Sequence, residues 1–341
     1  MNNIRICLIG AGRAGEVHGD VYKDYIKNSE ITAIVDNNIE KAKSLAKKYN
    51  LKRSFAFHNL KNAIDNIKFD AVVVTTPTFT HPDYVIEAAK NKIHVFCEKP
   101  MATTTRDCDR MIKACSDAGV TLQIGFMRRF DPGFIYAKNL IDKGTIGKPI
   151  IIKSLTHGPG LPGNWALDIK NSNGMLAEVN SHDFDTIRWL SGAEYERVYA
   201  VAQNFNCAEI AKKFPDFYDT ATVSLTLKNG TLGLIDSVCP CFYGYDARAE
   251  VVGSQGIMFI GSLQDSTTIT CTRENSIVIK QTMSWRKRFH EAYVAEDRHF
   301  IECILGSKEP LVSGIEGKKA VEVVIAANDS ISKGQPVNID Q

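Results

Sequence analysis

Four side chains in this sequence are well suited to stabilising a negative oxygen and moving a proton. Lys99 directly follows a strand-like run at residues 93–98, where an ammonium group would stabilise a developing alkoxide or polarise a carbonyl. Glu178 and His182 lie four residues apart and Asp185 follows three later, so all three share one face if the segment is helical. Histidine is the natural base for a hydroxyl proton near neutral pH. The alternatives are a surface lysine in a turn and a structural histidine.

A glycine-rich stretch near the start predicts a phosphate-binding loop. Gly10, Gly12 and Gly15 follow the first apolar run and precede a predicted helix. In dinucleotide-binding folds this spacing permits a tight turn, close approach of a pyrophosphate and close helix packing, and the helix N-terminus adds N–H groups. Asp36 ends the second strand-like run, where a carboxylate accepts from both ribose hydroxyls and repels a 2′-phosphate, so NAD is favoured over NADP. The alternative is a structural turn with a surface aspartate. The predicted cofactor-binding residues here are Gly10, Gly12, Arg13, Ala14, Gly15 and Asp36.

Two later segments are also predicted to face the cofactor, because each follows a strand-like run. In parallel α/β sheets, ligands gather at the carboxyl ends of the strands. The interpretation of His81 stays open between a cofactor contact and a helix cap. The residues concerned are Thr75, Thr76, Pro77, His81, Glu98 and Lys99.

The first part of the chain alternates strand and helix patterns. The segment 38–49 keeps its apolar residues on one helical face, and several strand-like runs are almost wholly apolar, as in strands covered on both faces. This alternation predicts an α/β fold with a doubly wound parallel sheet, a Rossmann-type NAD-binding domain over residues 1–125. The predicted strands are 4–9, 31–36, 54–57, 71–76, 93–98 and 121–126.

Beyond residue 126 the pattern changes to successive strands with fewer helices. Hairpins are predicted at Asn229–Gly230 and around Asn275. We expect a second α/β domain over residues 126–341, with a large, open, mostly antiparallel sheet whose uncovered face serves association into a homo-oligomer. The predicted helices are 132–144, 178–191, 288–305 and 315–333, and the predicted strands are 149–157, 197–205, 220–238, 248–261 and 267–280.

Composition excludes several classes of protein. Among 341 residues, 41 Lys and Arg balance 39 Asp and Glu, so no basic surface for nucleic acid is indicated. No apolar run reaches the roughly 18 residues that a membrane span needs, so we expect a cytoplasmic protein without membrane partners. The nine cysteines show no CxxC or zinc-type spacing, which predicts reduced thiols and no metal site.

These motifs resemble one family over nearly the whole chain, the Gfo/Idh/MocA oxidoreductases. The resemblance rests on GAGRAG at 10–15, EKP at 98–100, GFMRRFDPGF at 125–134 and the carboxylate-x-x-x-His pattern ending at His182. Within the family, the segment YGYDARAEVVGSQG at 243–256 is similar to the myo-inositol 2-dehydrogenase branch. The resemblance implies a Rossmann domain, an α/β domain with a large open sheet, and a dimer or tetramer.

The resemblance also implies roles for individual residues. Lys99 matches the active-site lysine and His182 the catalytic histidine, while Glu178 stands where the family usually has an aspartate. This departure puts the geometry of the Glu178–His182 pair in question. The resemblance implies a polyol pocket that includes Lys99 and His182, lined by Arg128, His157, Asp185, Tyr243 and Tyr245.

The sequence thus predicts an NAD-dependent dehydrogenase that oxidises a secondary hydroxyl of an inositol-like cyclic polyol or sugar to a ketone. Two alternatives stay open. One is a dehydrogenase of another sugar, such as a nucleotide-sugar or an anhydro-sugar. The other is a catalytically silent, NAD-binding regulator, although such proteins often lose the lysine or the histidine and this sequence has both.

Overall fold

The strands of the first half are short apolar runs, and all of them pair in parallel. The computed structural model describes residues 3–52, 55–274 and 276–339. Six strands form one sheet in the order β3-β2-β1-β4-β5-β6, and their ends agree with the predicted runs to within two residues, apart from residue 54 of the predicted run 54–57, which lies outside the described residues. The strands are β1 (Ile4–Ile9), β2 (Ser29–Val35), β3 (Ala56–Phe57), β4 (Ala71–Val74), β5 (His94–Glu98) and β6 (Leu122–Gly125).

Helices alternate with these strands, and polar caps fix where several of them begin. Asn38 accepts hydrogen bonds from the N–H groups of Glu40 and Lys41, and Thr104 accepts one from Asp107. Such caps satisfy backbone donors that have no partner inside the helix. The helices are α1 (Arg13–Asp24), α2 (Ile39–Lys48), α3 (Leu60–Asn66), α4 (His81–Lys90) and α5 (Thr105–Ala118), and short 3-10 helices cover Thr78–Thr80 and Met127–Phe130.

The rest of the chain contains a seven-stranded sheet and a separate two-stranded sheet. The strand order is β12-β11-β7-β10-β9-β8-β15 in the first and β13-β14 in the second. The strands are β7 (Pro149–His157), β8 (Tyr195–Gln203), β9 (Thr220–Leu227), β10 (Leu232–Val238), β11 (Asp246–Gly253), β12 (Ile257–Ile260), β13 (Gln264–Thr272), β14 (Ser276–Gln281) and β15 (Val337–Asn338). The helices are α6 (Pro132–Asp142), α7 (Ile169–Ser172), α8 (Gly174–Glu178), α9 (Ser181–Ser191), α10 (Ala208–Lys213), α11 (Trp285–Arg288), α12 (His290–Gly306) and α13 (Gly314–Lys333), with a 3-10 helix at Asn164–Leu167.

The predicted fold class is confirmed, including a large sheet that is mostly antiparallel. The seven-stranded sheet is antiparallel except that β7 and β10 run parallel. The parallel pair arises because β7 and β10 are joined by a long crossover through α9 and β8 rather than by a hairpin. The hairpin at Asn229–Gly230 joins β9 and β10 as predicted. Asn275, the other predicted turn, lies outside the described residues.

The chain divides into two compact units, and its last third contributes to both. One unit contains the residues up to Phe130 together with Glu291–Val321, and therefore includes the six-stranded sheet and most of α12. The other contains Asp131–His290 and the residues from Glu322 onward. Within this second unit, Ser330 of α13 accepts a hydrogen bond from the N–H of Ala200 in β8, which ties the end of the chain to the seven-stranded sheet.

The predicted single helix over residues 178–191 is wrong. The structure has α8 up to Glu178 and α9 from Ser181, with a turn at Val179 and Asn180, whose ψ is 0°. The physical reason is tertiary, because the buried Asn180 side chain donates to Asp183 and accepts from Ser237 of β10. Asparagine side chains that bond in this way compete with regular helix.

Candidate functional site

The glycine loop has the three properties that its spacing predicts. Gly10 has φ +103°, and a Cβ on it would lie 2.7 Å from Thr75 Oγ1. A Cβ on Gly15 would lie 1.9 Å from the carbonyl oxygen of Gly10, so the helix can approach the loop only with glycine there. A Cβ on Gly12 would meet no atom within 4 Å. The loop is closed behind Gly10 and Gly15 and open at Gly12, as a pyrophosphate cradle at the start of α1 requires.

Asp36 lies beside this loop and is held by two backbone groups. Its Oδ2 accepts from the N–H of Ala11 at 2.8 Å, and its Oδ1 accepts from the N–H of Asn38 at 2.8 Å. Each carboxylate oxygen keeps a second acceptor position. The half-buried Asp36 can therefore accept a pair of hydroxyls while its own position stays fixed.

The loop after β4 is joined to the glycine loop and to the turn after β5. Thr75 Oγ1 donates toward the carbonyl oxygens of Ile9 and Gly10, each at 3.0 Å. The ring of His81 is buried, with Nε2 2.8 Å from the carbonyl oxygen of Thr76 and Nδ1 3.0 Å from that of Pro100. His81 thus links two loops at the carboxyl edge of the sheet through backbone atoms. Pro77 directly precedes the 3-10 helix Thr78–Thr80.

Lys99 extends from the same edge. It follows Glu98, the last residue of β5, and a cis peptide bond joins it to Pro100. Glu98 is buried, and its Oε2 accepts from the N–H of Lys99 at 2.9 Å. Since β1, β4 and β5 are adjacent and parallel, their carboxyl ends bring the glycine loop, Thr75 and Lys99 to one edge of one sheet.

The segment from Glu178 to Asp185 lies in the second unit, over two helices rather than one. Glu178 ends α8, whereas His182 and Asp185 belong to α9 and are 6% and 3% exposed. Their four-residue spacing therefore does not put Glu178 and His182 on one helical face. The physical reason is the turn at Val179 and Asn180.

Asp183 and Asn180 hold α9 onto the sheet. Asp183 is buried and accepts from Ser154 and Thr156 of β7, each at 2.6 Å, and from the side-chain amide of Asn180 at 2.8 Å. A buried carboxylate is stable only with such donors. Asp183 and Asn180 therefore fix the start of the helix that carries His182.

His157 and Tyr243 belong to a polar cluster on the opposite face of the same sheet. Side chains alternate along β7, so His157 extends away from the face where Thr156 meets α9. The His157 ring contacts the Tyr243 hydroxyl through Nδ1 and Asp236 through Nε2. The Tyr243 hydroxyl donates to Asp246 at 3.1 Å. Burial, followed by the charge of Asp246, raises the pKa of Tyr243, so it stays a neutral phenol.

Two more of the residues assigned to the polyol pocket by resemblance, Tyr245 and Arg128, are both buried. Tyr245 is buried and packs edge-on against Phe289, with ring centroids 6.3 Å apart. Arg128 is 1% exposed and lies in the first unit, in the 3-10 helix Met127–Phe130. The structure thus brings His157 and Tyr243 together.

Sequence reasoning missed a buried cluster in the first unit. His18 of α1 contacts Asp297 of α12, from which it is separated by 279 positions, and also contacts Glu98. A polar histidine on the inner face of a predicted helix was the only local signal. No local pattern could identify Asp297 as its partner.

The described part of the chain has neither a membrane-spanning helix nor a cluster of metal-binding side chains. None of its helices combines the length and the apolar character needed to cross a membrane. Across the same residues, no group of three or more His, Cys, Asp or Glu side chains is arranged to hold a metal ion.

The parallel sheet with its glycine loop, the carboxylate after β2 and the lysine at the same edge define a dinucleotide-dependent oxidoreductase. The chain belongs to the Gfo/Idh/MocA oxidoreductase family. The family's NAD-binding Rossmann fold matches residues 4–126, and its C-terminal alpha/beta domain matches residues 138–339.

Three relatives are similar to this chain over almost its full length. The myo-inositol 2-dehydrogenase of Thermotoga maritima is 34% identical, over 99% of each chain. The scyllo-inositol 2-dehydrogenase (NAD(+)) of Bacillus subtilis is 33% identical, over 99% of this chain and 97% of its own. The crystal structure of myo-inositol dehydrogenase from Lactobacillus casei in complex with NAD(H) and myo-inositol has a TM-score of 0.87 at 25% identity, covering 99% of this chain and 97% of its own.

Proposed function

We propose that this protein is an NAD-dependent dehydrogenase that oxidises a secondary hydroxyl of an inositol-like cyclic polyol to a ketone. The observation that carries the proposal is the shared edge of the parallel sheet, where the open glycine loop, Asp36 and Lys99 occur together. The relatives named above support the choice of a cyclic polyol. The proposed NAD-binding domain is residues 1–125, and residues 126–341 are the proposed substrate-binding and oligomerisation domain.

The proposed chemistry divides among three side chains. Bound NAD would supply the hydride acceptor for the carbinol hydrogen. Lys99 stabilises the substrate oxygen as negative charge develops on it. His182 removes the hydroxyl proton. Glu178, at the end of the preceding helix, orients His182.

We assign the polyol contacts to five residues on the family resemblance alone. Two of them, His157 and Tyr243, already bond to carboxylates, which supports a surface able to recognise hydroxyl groups. The five are Arg128, His157, Asp185, Tyr243 and Tyr245.

The test is a substrate panel that follows NADH absorbance with the purified protein. We expect reduction of NAD with myo-inositol or scyllo-inositol. Turnover confined to a nucleotide-sugar or an anhydro-sugar would replace the polyol assignment. NAD binding without turnover of any member of the panel would identify a regulator instead.

Cofactor choice is expected to depend on Asp36. The Asp36→Asn variant keeps the shape of the side chain but removes the charge that repels a 2′-phosphate. Like-charge juxtaposition is worth several kcal/mol, so the ratio of kcat/KM for NADP to that for NAD should rise about 100-fold. The measurement is initial rates with both cofactors.

The matched control for this experiment is Asp24→Asn, which makes the same change at an exposed position of α1. Its cofactor ratio should equal that of the wild type. An unchanged ratio in Asp36→Asn would remove Asp36 from cofactor selection.

We also propose that the uncovered face of the seven-stranded sheet forms a homo-oligomer interface, giving a dimer or tetramer. Strand register places Leu234 level with Ser224 and Tyr199 on that face. Leu234 is 43% exposed, and Phe259 of β12 is 73% exposed. Large apolar side chains exposed on one face of a sheet support an association surface. The Lys153–Glu250 ion pair lies between Leu234 and Phe259 on this face.

A charged residue on this face is expected to dissociate the oligomer. Leu234→Lys should shift the mass measured by light scattering after size exclusion to that of one chain, because a lysine buried without a partner is strongly unfavourable. Leu305→Lys, at an exposed position of α12, is the matched control and should keep the wild-type mass. A wild-type mass for Leu234→Lys would show that this face is not the interface.

A further inference from the structure

We propose that His18, clamped between Glu98 and Asp297, is a positioning residue that fixes the turn from which Lys99 extends. The inference concerns the first unit alone and rests on the proposed function for the role of Lys99. His18 lies on α1, Glu98 ends β5 and Asp297 lies on α12. These contacts connect α12 to the turn that carries Lys99, the proposed catalytic lysine.

Each contact in the chain is a hydrogen bond of ordinary length. His18 Nδ1 lies 2.9 Å and 3.0 Å from the two carboxylate oxygens of Asp297, and His18 Nε2 lies 3.0 Å from Glu98 Oε1. The other Glu98 oxygen, Oε2, accepts from the backbone N–H of Lys99 at 2.9 Å. The order is therefore Asp297, His18, Glu98 and then the main chain of Lys99.

The histidine can hold both carboxylates only as an imidazolium. A neutral ring has one N–H and so donates to one of them, whereas the protonated ring donates to both. Burial would lower the pKa of His18, but the charge and hydrogen bonds of Asp297 and Glu98 outweigh it and raise the pKa well above its usual range. Burial would likewise raise the pKa of Glu98, but the hydrogen bond and charge of His18 lower it.

The surroundings of His18 keep water away and limit its movement. His18 is 0% exposed, and its ring packs against those of Phe96 at 4.9 Å and Tyr293 at 5.5 Å. Two further ionisable groups face this cluster, Tyr22 on α1 and Glu296 on α12. Burial raises the pKa of both well above the usual range, which favours their neutral forms. Burial raises the pKa of Asp297 as well, because it outweighs the charge and hydrogen bond of His18, which lower it. The carboxyl groups that contact the His18 ring are those of Glu98 and Asp297.

A buried set of ions is a poor way to stabilise a core, because an apolar core of the same shape does as well. It is a good way to hold a side chain in one place, since every hydrogen bond in the chain has a fixed direction. The cluster of His18, Glu98 and Asp297 lies directly behind the turn of Lys99, which favours a positioning role over a stabilising one.

The test replaces Asp297 by asparagine, which keeps the shape of the side chain and removes the charge. Without that charge the pKa of His18 falls, so the ring becomes neutral as the pH rises and its charge-assisted hydrogen bond to Glu98 is weakened. We expect kcat of Asp297→Asn relative to wild type to decline with rising pH, reaching about a tenfold loss, because small displacements of a catalytic group have effects of this order. A purely structural defect would lower that ratio equally at every pH.

The matched control is Glu302→Gln, an acid-to-amide change at an exposed position of the same helix. The kcat of Glu302→Gln relative to that of the wild type should stay at one at every pH. A second variant, His18→Gln, carries no ionisable ring, so its kcat should be reduced by a pH-independent factor with an unchanged KM for NAD. Wild-type kcat in His18→Gln, or a pH-independent ratio in Asp297→Asn, would overturn the proposal.

Hydrogen exchange read by mass spectrometry gives a readout that needs no turnover. The backbone N–H of Lys99, protected by Glu98, should exchange faster in Asp297→Asn and at the wild-type rate in Glu302→Gln. If the wild type oxidises no polyol, the proposed function fails while this measurement still tests the positioning of Lys99. Unchanged exchange in both Asp297→Asn and His18→Gln would overturn the positioning role.

Discussion

Replacing Lys99 with methionine is expected to lower kcat for polyol oxidation by about 100- to 1,000-fold, the usual effect of removing one donor from a developing oxyanion. Methionine has nearly the length of lysine and no charge, so the turn held by Glu98 should persist. The dissociation constant for NAD should change little, because the glycine loop and Asp36 are untouched. Stopped-flow and steady-state measurements of NADH formation with the best polyol give both quantities.

The control for this variant is Lys90→Met at an exposed position at the end of α4, which should keep the wild-type kcat. A Lys99→Met protein that binds NAD normally and turns over at the wild-type rate would exclude Lys99 from the chemical step. Loss of NAD binding together with turnover would instead assign Lys99 to the cofactor site.

Replacing His182 with alanine is expected to lower kcat by about 100- to 10,000-fold, the range found for removal of a general base. The start of α9 should keep its position, because Asp183 and Asn180 hold it to β7 and β10. Added imidazole should restore part of the activity by filling the vacated space and taking up the hydroxyl proton. The measurement is kcat as a function of imidazole concentration.

His58→Ala, at an exposed position of the first unit, is the matched control and should show neither the loss nor the rescue. Thermal unfolding of each variant separates a lost base from a lost fold. Undiminished turnover in His182→Ala would place the base on another residue.

Much of the fold was accessible from the sequence because the relevant signals are local. Apolar runs bounded by turns located the six parallel strands, since strands covered on both faces need continuous apolar sequence. The roles of Gly10 and Gly15 follow from backbone geometry that glycine alone permits. The family resemblance, carried by short motifs, agreed with the matches to both halves of the family.

The continuous helix predicted over residues 178–191 shows where local reasoning ends. Its apolar periodicity is real on both sides of the turn. The break at Asn180 is caused by Ser237, which is 57 positions away, and by the capture of Asp183 by Ser154 and Thr156 of β7. None of these contacts can be recognised from the sequence of residues 178–191, so the apolar periodicity of that segment predicted one helix where there are two.

The sequence by itself determined the order of most strands and helices, the glycine loop and the candidate catalytic side chains, because each depends on neighbours within a few positions. Only the tertiary structure decided which polar groups meet. It separated Glu178 from the helix of His182, put His157 on the face of the sheet opposite α9, and brought Asp297 to His18 from 279 positions away. Buried polar side chains must find partners wherever the folded chain supplies them, and that choice is made in space rather than along the sequence.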